Sequence, residues 1–462
     1  MSRYRATIGL ALLLAGLGAY LYLVELPSQQ REEESEAQKS KLLSFDEKAI
    51  TGLTVTSDHG VIELKAGEAR NWQMTAPVQA EADSREVQSM IRALVLGKVS
   101  RVIEASPESS HESLRPFGLE KPPVTVTVST PDQQETFAIG DVGPLSSTLY
   151  VLRGSDKQVL LTDLAAKDFL NKTVMTFRRK EILPFEHAQA DRLRLTYPPT
   201  EIVLYLMDAK PAKKWKIRAP IEANADQSEV RSFLFRLEDL KAVGIIDPGP
   251  EREAIAKTLK KPQAQITVHA AGADHTVKLY QSEANSGEAF AETSAAGPLY
   301  RISPAAIKDL TRDLFTLQDK RLLGLDFEDV AMLAVKTRTE QYTLINQSGQ
   351  WVLEDRPEEK LNQETVDLFV SRVVNLPAEI RVVKQPGPLA PYGLVSPAAE
   401  FTATGRDGKQ SGRLVLGNQS SGLVYAIGQA MPGVFQARAD ILTQIPEKSS
   451  LIKPAEPEGK KP

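Results

Sequence analysis

Trp72-Gln-Met-Thr-Ala-Pro77, then Asp83-Ser-Arg-Glu86, then Val87, Met90, Ile91 and Leu94, is the stretch that decides the fold, because the chain carries it three times. The second copy reads Trp215-Lys-Ile-Arg-Ala-Pro220, Asp226-Gln-Ser-Glu229, and Val230, Phe233, Leu234 and Leu237. The third reads Trp351-Val-Leu-Glu-Asp-Arg-Pro357, Asn362-Gln-Glu-Thr365, and Val366, Phe369, Val370 and Val373. Counted from each Trp, the Asp or Asn falls at +11 and the apolar residues at +15, +18, +19 and +22 in all three. The chain has 3 Trp, and each opens one copy.

Apolar residues at i, i+3, i+4 and i+7 make one stripe of an amphipathic helix. Asp83 and Asp226, each followed three residues later by Glu, predict an N-cap with a capping box, and Asn362 predicts a cap with a weaker box. Proline cannot donate to a sheet ladder, so it closes the Trp strand before the cap. A β-branched run follows each helix, at Val102-Ile103, Ile245-Ile246 and Val382-Val383. The unit is therefore strand, turn, capped helix, strand.

Outward from this unit the copies still match. Leu42-Leu43-Ser-Phe45, Ile182-Leu183-Pro-Phe185 and Leu323-Gly-Leu325 open them, and short alternating runs lead into each Trp strand as an antiparallel meander. Downstream, Phe117-Gly118-Leu119-Glu-Lys-Pro122 matches Tyr392-Gly393-Leu394-Val-Ser-Pro397, with Thr258-Leu259-Lys-Lys-Pro262 as an eroded middle copy. Phe137-Ala-Ile139-Gly140 matches Leu414-Val-Leu416-Gly417, the glycine being expected to make the tight turn of a hairpin. Terminal helices are expected over 164–170, 305–314 and 439–445.

The fold class is α+β: an N-terminal transmembrane helix and three tandem modules of antiparallel sheet plus helix. The expected organisation is a cytoplasmic lead over 1–5, an anchor over 6–26 and a linker over 27–42. Modules follow over 43–180, 181–322 and 323–446, with a disordered tail over 447–462. At about 100–200 residues per domain, 462 residues agree with three.

Ala6 to Val24 is nineteen uncharged residues, which as a helix spans roughly 28 Å, near the hydrocarbon thickness. Arg3 and Arg5 before it, and Glu32-Glu33-Glu34 after it, place the N-terminus inside and the bulk of the chain outside the cytoplasm. The competing reading is a signal peptide cut at Gly16-Leu17-Gly18, which would leave a short apolar core.

A net charge of −4 gives no reason to expect nucleic acid as a partner. With no Cys there is no disulfide, thiol nucleophile or Cys-ligated metal. The 5 histidines, His59, His111, His187, His269 and His275, show no metal-ligand spacing beyond a hairpin placement of His269 and His275. No phosphate-loop, dinucleotide or nucleophile-elbow motif occurs. Asp83 with Glu86 has the look of a catalytic carboxylate pair, but its recurrence at Asp226 and Glu229 ahead of an apolar stripe points to capping. Lys210, Lys213, Lys214, Lys216 and Arg218 surround Trp215. They read as a lysine-guarded strand edge, or as a contact for an anionic glycan or lipid headgroup. No catalytic, cofactor or metal residue is assigned.

The Trp-to-Pro segment, the capped helix, the Phe/Tyr-Gly-Leu-x-x-Pro motif and the Ile-Gly element before a Tyr-Val strand resemble the bacterial domain-of-unknown-function 4340 family. That resemblance spans most of Leu43 to Pro446. It implies an inner-membrane-anchored protein encoded beside gliding-motility-type ABC transporter genes, and so a transporter-associated partner. It brings no catalytic residues. The leading expectation is an extracytoplasmic accessory or scaffold protein of an envelope complex that is not an enzyme. The alternatives are a binding module for a cell-wall or polysaccharide ligand, and an enzyme of unrecognised type.

The anchor leads to a direct expectation. Intact mass should show an uncleaved chain, and proteases added to spheroplasts should digest residues beyond 27. A mature N-terminus near Ala19 would contradict it.

Overall fold

The computed structural model describes residues 40–103, 111–165, 169–170, 172–209, 212–282, 287–385 and 387–453. The lead, the anchor, the linker up to residue 39 and the tail from 454 lie outside them. Among the described residues no helix is long and apolar enough to cross a membrane.

The three repeated helices are α1 (Ser84–Leu96), α2 (Gln227–Glu238) and α3 (Gln363–Val374). The strands of the first span are β1 (Gly52–Ser57), β2 (Gly60–Ala66), β3 (Trp72–Ala76), β4 (Ala80–Glu81), β5 (Val99–Ile103), β6 (Val124–Ser129), β7 (Gln134–Val142), β8 (Leu149–Arg153) and β9 (Val159–Thr162). The second span gives β10 (Ala190–Tyr197), β11 (Thr200–Met207), β12 (Lys214–Ala219), β13 (Ala223–Asn224), β14 (Gly244–Ile246), β15 (Ala264–Ala270), β16 (Ala273–Gln281), β17 (Ala289–Glu292) and β18 (Leu299–Ile302). The third gives β19 (Val330–Thr337), β20 (Gln341–Gln347), β21 (Gln350–Leu353), β22 (Ile380–Val383), β23 (Ala399–Gly405), β24 (Ser411–Ser420), β25 (Leu423–Gly428) and β26 (Met431–Arg438). They form three antiparallel sheets, so the α+β class and the repeat hold.

The chain divides into two compact units. The first takes the described residues up to Ile182 with Leu240–Thr258 and Glu288–Ser303. Its sheet runs β4-β3-β2-β1-β6-β7-β8-β9-β5, and β14, β18 and β17 pair antiparallel beside one another. The helix α1 thus carries the chain from the β4 edge of the sheet to the β5 edge. The second unit takes Leu183–Asp239, Leu259–Gly287 and the described residues from Pro304. It holds the run β13-β12-β11-β10-β15-β16 and the sheet β21-β20-β19-β23-β24-β25-β26-β22.

The stripe of each helix is buried as its period requires. Val87, Met90, Ile91 and Leu94 sit in one core with Trp72, Val55 and Ile62, and the equivalent residues of α3 sit in another with Trp351. The three Trp are 3, 8 and 1% exposed. Asp83 Oδ1 accepts from Arg85 N and Glu86 N, Asp226 Oδ1 from Ser228 N and Glu229 N, and Asn362 Oδ1 from Thr365 N. The expected capping box is only half made in each copy, because the N–H groups of Asp83, Asp226 and Asn362 donate to the carbonyls of Phe177, Leu317 and Leu451, and in the first copy Glu86 Oε2 turns to Lys172 Nζ at 3.4 Å.

One residue after each cap, a side chain clamps the Trp backbone. Trp72 N donates to Ser84 Oγ at 3.1 Å, Trp215 N to Gln227 Oε1 at 2.8 Å, and Trp351 N to Gln363 Oε1 at 2.7 Å. The two glutamines also donate from Nε2 to the carbonyls of Trp215 and Trp351. A strand and the helix after it are thereby fixed at one point.

A connector fixes that point from the other side. In the first unit Asp83 N donates to Phe177 O (2.8 Å) and Arg179 N to Glu81 O, while Ile182 N donates to Leu240 O and Ala242 N to Lys180 O. In the second, Asp226 N donates to Leu317 O (2.8 Å) and Asp319 N to Asn224 O, while Leu322 N donates to Leu376 O and Ala378 N to Lys320 O. Each connector therefore closes the start of one helix and pairs with the chain just past the end of the next. The third cap has the same partner, since Asn362 N donates to Leu451 O at 2.9 Å and Lys453 N to Lys360 O.

That last contact corrects the expected tail. Residues 447–453 are built in: Lys448–Leu451 is a 3₁₀ turn and Leu451 is fully buried. Likewise Leu42, assigned to the linker, is buried with Leu43 in the first core. Two expected terminal helices are shorter, Pro304–Asp309 and Asp440–Thr443. The hairpin glycines are corrected too. Gly140 lies inside β7, where the register against β8 shifts between Ile139 and Val142, and Gly417 lies at the matching bulge of β24. A Cβ on either would stand 2.2 Å from the carbonyl oxygen of Phe117 or Tyr392. The glycine is there for close backbone approach, not for a turn. The two motifs are halves of one contact, which Gly118 (φ 66°) and Gly393 (φ 72°) turn into place. The middle copy lacks both halves together: register places Tyr280 where Gly140 stands.

Trp351→Ala should cost about 3–5 kcal/mol through the cavity it leaves. Gln363→Ala, which unpairs the Trp351 N–H and carbonyl, should cost about 1–3 kcal/mol. Urea denaturation followed by circular dichroism reads both. A neutral Gln363→Ala would show that the clamp is incidental.

Candidate functional site

The groups that could do chemistry are found mostly in structural contacts. His59 stands in the β1–β2 turn, 3.7 Å from Asp58. His111 opens a short helix, His111–Leu114. The Nδ1 of His187 meets the Glu238 carboxylate, and its ring stands edge-on to Phe235 at 5.7 Å. His269 Nδ1 is 3.4 Å from Asp191 Oδ1 without making a hydrogen bond. The ring of His275 tilts against Phe185 at 5.9 Å. Register pairs His269 with Asp274 and Val268 with His275, so the two histidines project from opposite faces of their hairpin. Among the described residues no three His, Asp or Glu side chains gather as metal ligands would.

A cavity of about 360 Å³ adjoins the cap of α1, lined by Glu81, Asp83, Arg85, Arg179 and Glu181 among others. Its charges are mutually engaged. Arg179 pairs with Glu81, Arg85 with Glu181 at 3.3 Å, and Asp83 with the helix N–H groups.

The basic stretch around Trp215 behaves differently. On β12, Trp215 and Ile217 are buried while Lys214, Lys216 and Arg218 point to the other face, as the strand period of two dictates. Lys214 Nζ is held by Asp326 Oδ2 at 2.7 Å, and Asp326 Oδ1 takes Arg321 Nη1 at 2.7 Å. Arg321 in turn grips Asp319. The Lys214 hydrogen bond and the Arg321 charge hold the Asp326 carboxyl below its usual range, against some burial. Hydrogen bonds to Asp319 and then Asp326 push the Arg321 pKa upward. This network ties β12 to the 319–326 segment.

Beside it lies a groove of about 870 Å³ within the second unit. Its floor is a cross-strand row, Tyr205 on β11, Lys216 on β12 and Asn224 on β13, each paired with the next. The Arg218 guanidinium lies over the Tyr205 ring at 5.5 Å. The far wall brings Leu323, Gly324, Ser411, Gln429 and Ala430, far off in sequence. Among the described residues no ion pair engages Lys216 or Arg218. The basic stretch was the sequence signal for this place. Lys213 is 3.8 Å from Asp208, and Lys210 lies outside the described residues.

None of the curated proteins compared with the chain matches it. A family model described as "Domain of unknown function (DUF4340)" matches residues 72–255 and, overlapping them, 215–380. The two matches begin at Trp72 and at Trp215, so the family's own unit holds two successive Trp-to-helix segments. Matched over more than half its length, from the first Trp strand to the start of β22, the chain belongs to this family of unknown function.

Proposed function

We propose that the protein is a membrane-anchored, extracytoplasmic accessory or scaffold protein of a bacterial envelope complex, associated with an ABC-type transport system of the gliding-motility kind. It works by contact and not by turnover. The observation that carries this reading is how the polar groups of the three helix caps and of the 319–326 segment are engaged. Asp83, Asp226 and Asn362 close helix N-termini, and Arg321, Asp319 and Asp326 tie a connector to a strand. A catalytic group needs a positioned partner and room for a reacting atom, whereas the cap side chains are taken by backbone N–H groups and the 319–326 charges by one another. The basic lead and apolar stretch at the N-terminus support the anchor, and the family resemblance supports the transporter.

Purification from detergent-solubilised membranes should bring down the permease and ATP-hydrolysing subunits of one ABC transporter. Recovery without either subunit would contradict the association. Alanine replacement of His59, His111, His187, His269 and His275 one at a time should leave complementation intact. If one replacement abolished function at unchanged abundance and thermal stability, the contact reading would fail.

A further inference from the structure

Lys216, Arg218 and Tyr205 are not explained by the construction of the repeat. The positions equivalent to Lys216 are Gln73 and Val352, and those equivalent to Arg218 are Thr75 and Glu354. Register places Lys65 and Ile345 where Tyr205 stands. What all three copies share builds the module, so a cationic and aromatic cluster confined to one copy answers to something else. It also lines a groove at the upper end of the usual volume for a ligand site, about 300–1,000 Å³.

We propose that this groove binds an anionic glycan, a short stretch of an acid-bearing polysaccharide. The charged lining is Lys216 and Arg218 against the single carboxylate of Glu222, a net attraction for anions. Arg218 is held on the Tyr205 ring, which limits its freedom and presents its fork for a bidentate carboxylate contact. Lys216, two residues away on the same face, supplies a second charge along the strand direction, as a polymer with repeated acids needs. The remaining polar lining is neutral, Asn224, Ser411 and Gln429, whose amide and hydroxyl groups both donate and accept and so suit sugar hydroxyls. A nucleic-acid strand would call for several stacking aromatics and a basic domain. The groove has one Tyr, and the chain is acidic by 4 charges. The ordered network of Lys214, Asp326, Arg321 and Asp319 keeps the 319–326 segment in place before any ligand arrives. Because both cations are exposed, binding must weaken with salt on the scale of a Debye length of roughly 8 Å.

The test is calorimetric titration of the full-length protein, in polyoxyethylene-detergent micelles, with hexagalacturonate. Three comparisons accompany it: neutral cellohexaose, soluble dihexanoyl phosphatidylglycerol, and raised salt. Binding of hexagalacturonate is expected, lowered at least about tenfold by Lys216→Gln with Arg218→Gln and by raised salt, with cellohexaose inert. Arg218→Lys keeps the charge but loses the fork, and should fall between. The side chains of Lys216 and Arg218 are exposed, so melting temperatures should not move. Absence of hexagalacturonate binding would overturn the proposal, as would equal binding by the double variant or by cellohexaose. Tighter binding of the phospholipid through Lys216 and Arg218 would also overturn it, assigning the groove to lipid headgroups. The double variant should still retain its transporter subunits in the purification above, so the two readings stand or fall separately.

Discussion

The first turn of an α-helix carries backbone N–H groups with no partner inside the helix, and this chain is organised around how it satisfies them. At α1, α2 and α3 the cap side chain takes the amides of the first turn, and the cap's own N–H goes to a connector carbonyl. The next residue holds the Trp backbone. Strand, helix and connector thus meet at one place, and a change in any of them unpairs buried groups in the other two. Unpaired buried donors cost about 1–3 kcal/mol each, so this arrangement is strongly specified.

The same junction joins the copies. A connector that closes one helix goes on to pair with the residues beyond the next, through Ile182 and Ala242 in one case and Leu322 and Ala378 in the other. Adjacent copies therefore share backbone hydrogen bonds where beads on a string would have free linkers. The division into two compact units, which does not follow the module boundaries expected from sequence, is consistent with that sharing.

Much of this was legible in the sequence, and the illegible part has a physical reason. The apolar stripes, the caps and the Trp strands are local patterns, set by residues within about a helical turn of one another, and they stand where the spacing put them. Gln227 and Gln363 gave no signal, because their partner is a strand twelve residues back rather than the helix they begin. Gly140 and Gly417 read as turn residues because a bulge against a distant carbonyl leaves the same single glycine in the sequence. The 447–453 segment looked polar and free because only Leu451 and Ile452, amid charged and polar neighbours, mark its contact beside the third cap. In the groove, the basic residues were visible but their division was not. Lys214 is paired through Asp326, more than a hundred residues away, and the opposite wall comes from Leu323, Ser411 and Gln429. What the three copies have in common describes construction, and the departures of the middle copy mark where to look for recognition.

Native-state amide hydrogen exchange tests the junction most directly, because it reads the connector bonds one donor at a time. The amides of Asp83, Asp226 and Asn362 should exchange as slowly as those of the buried helix stripes they precede, with Ile182 and Leu322 close behind. Rapid exchange at those five amides, with the helices themselves protected, would contradict the view that the connectors hold the copies together.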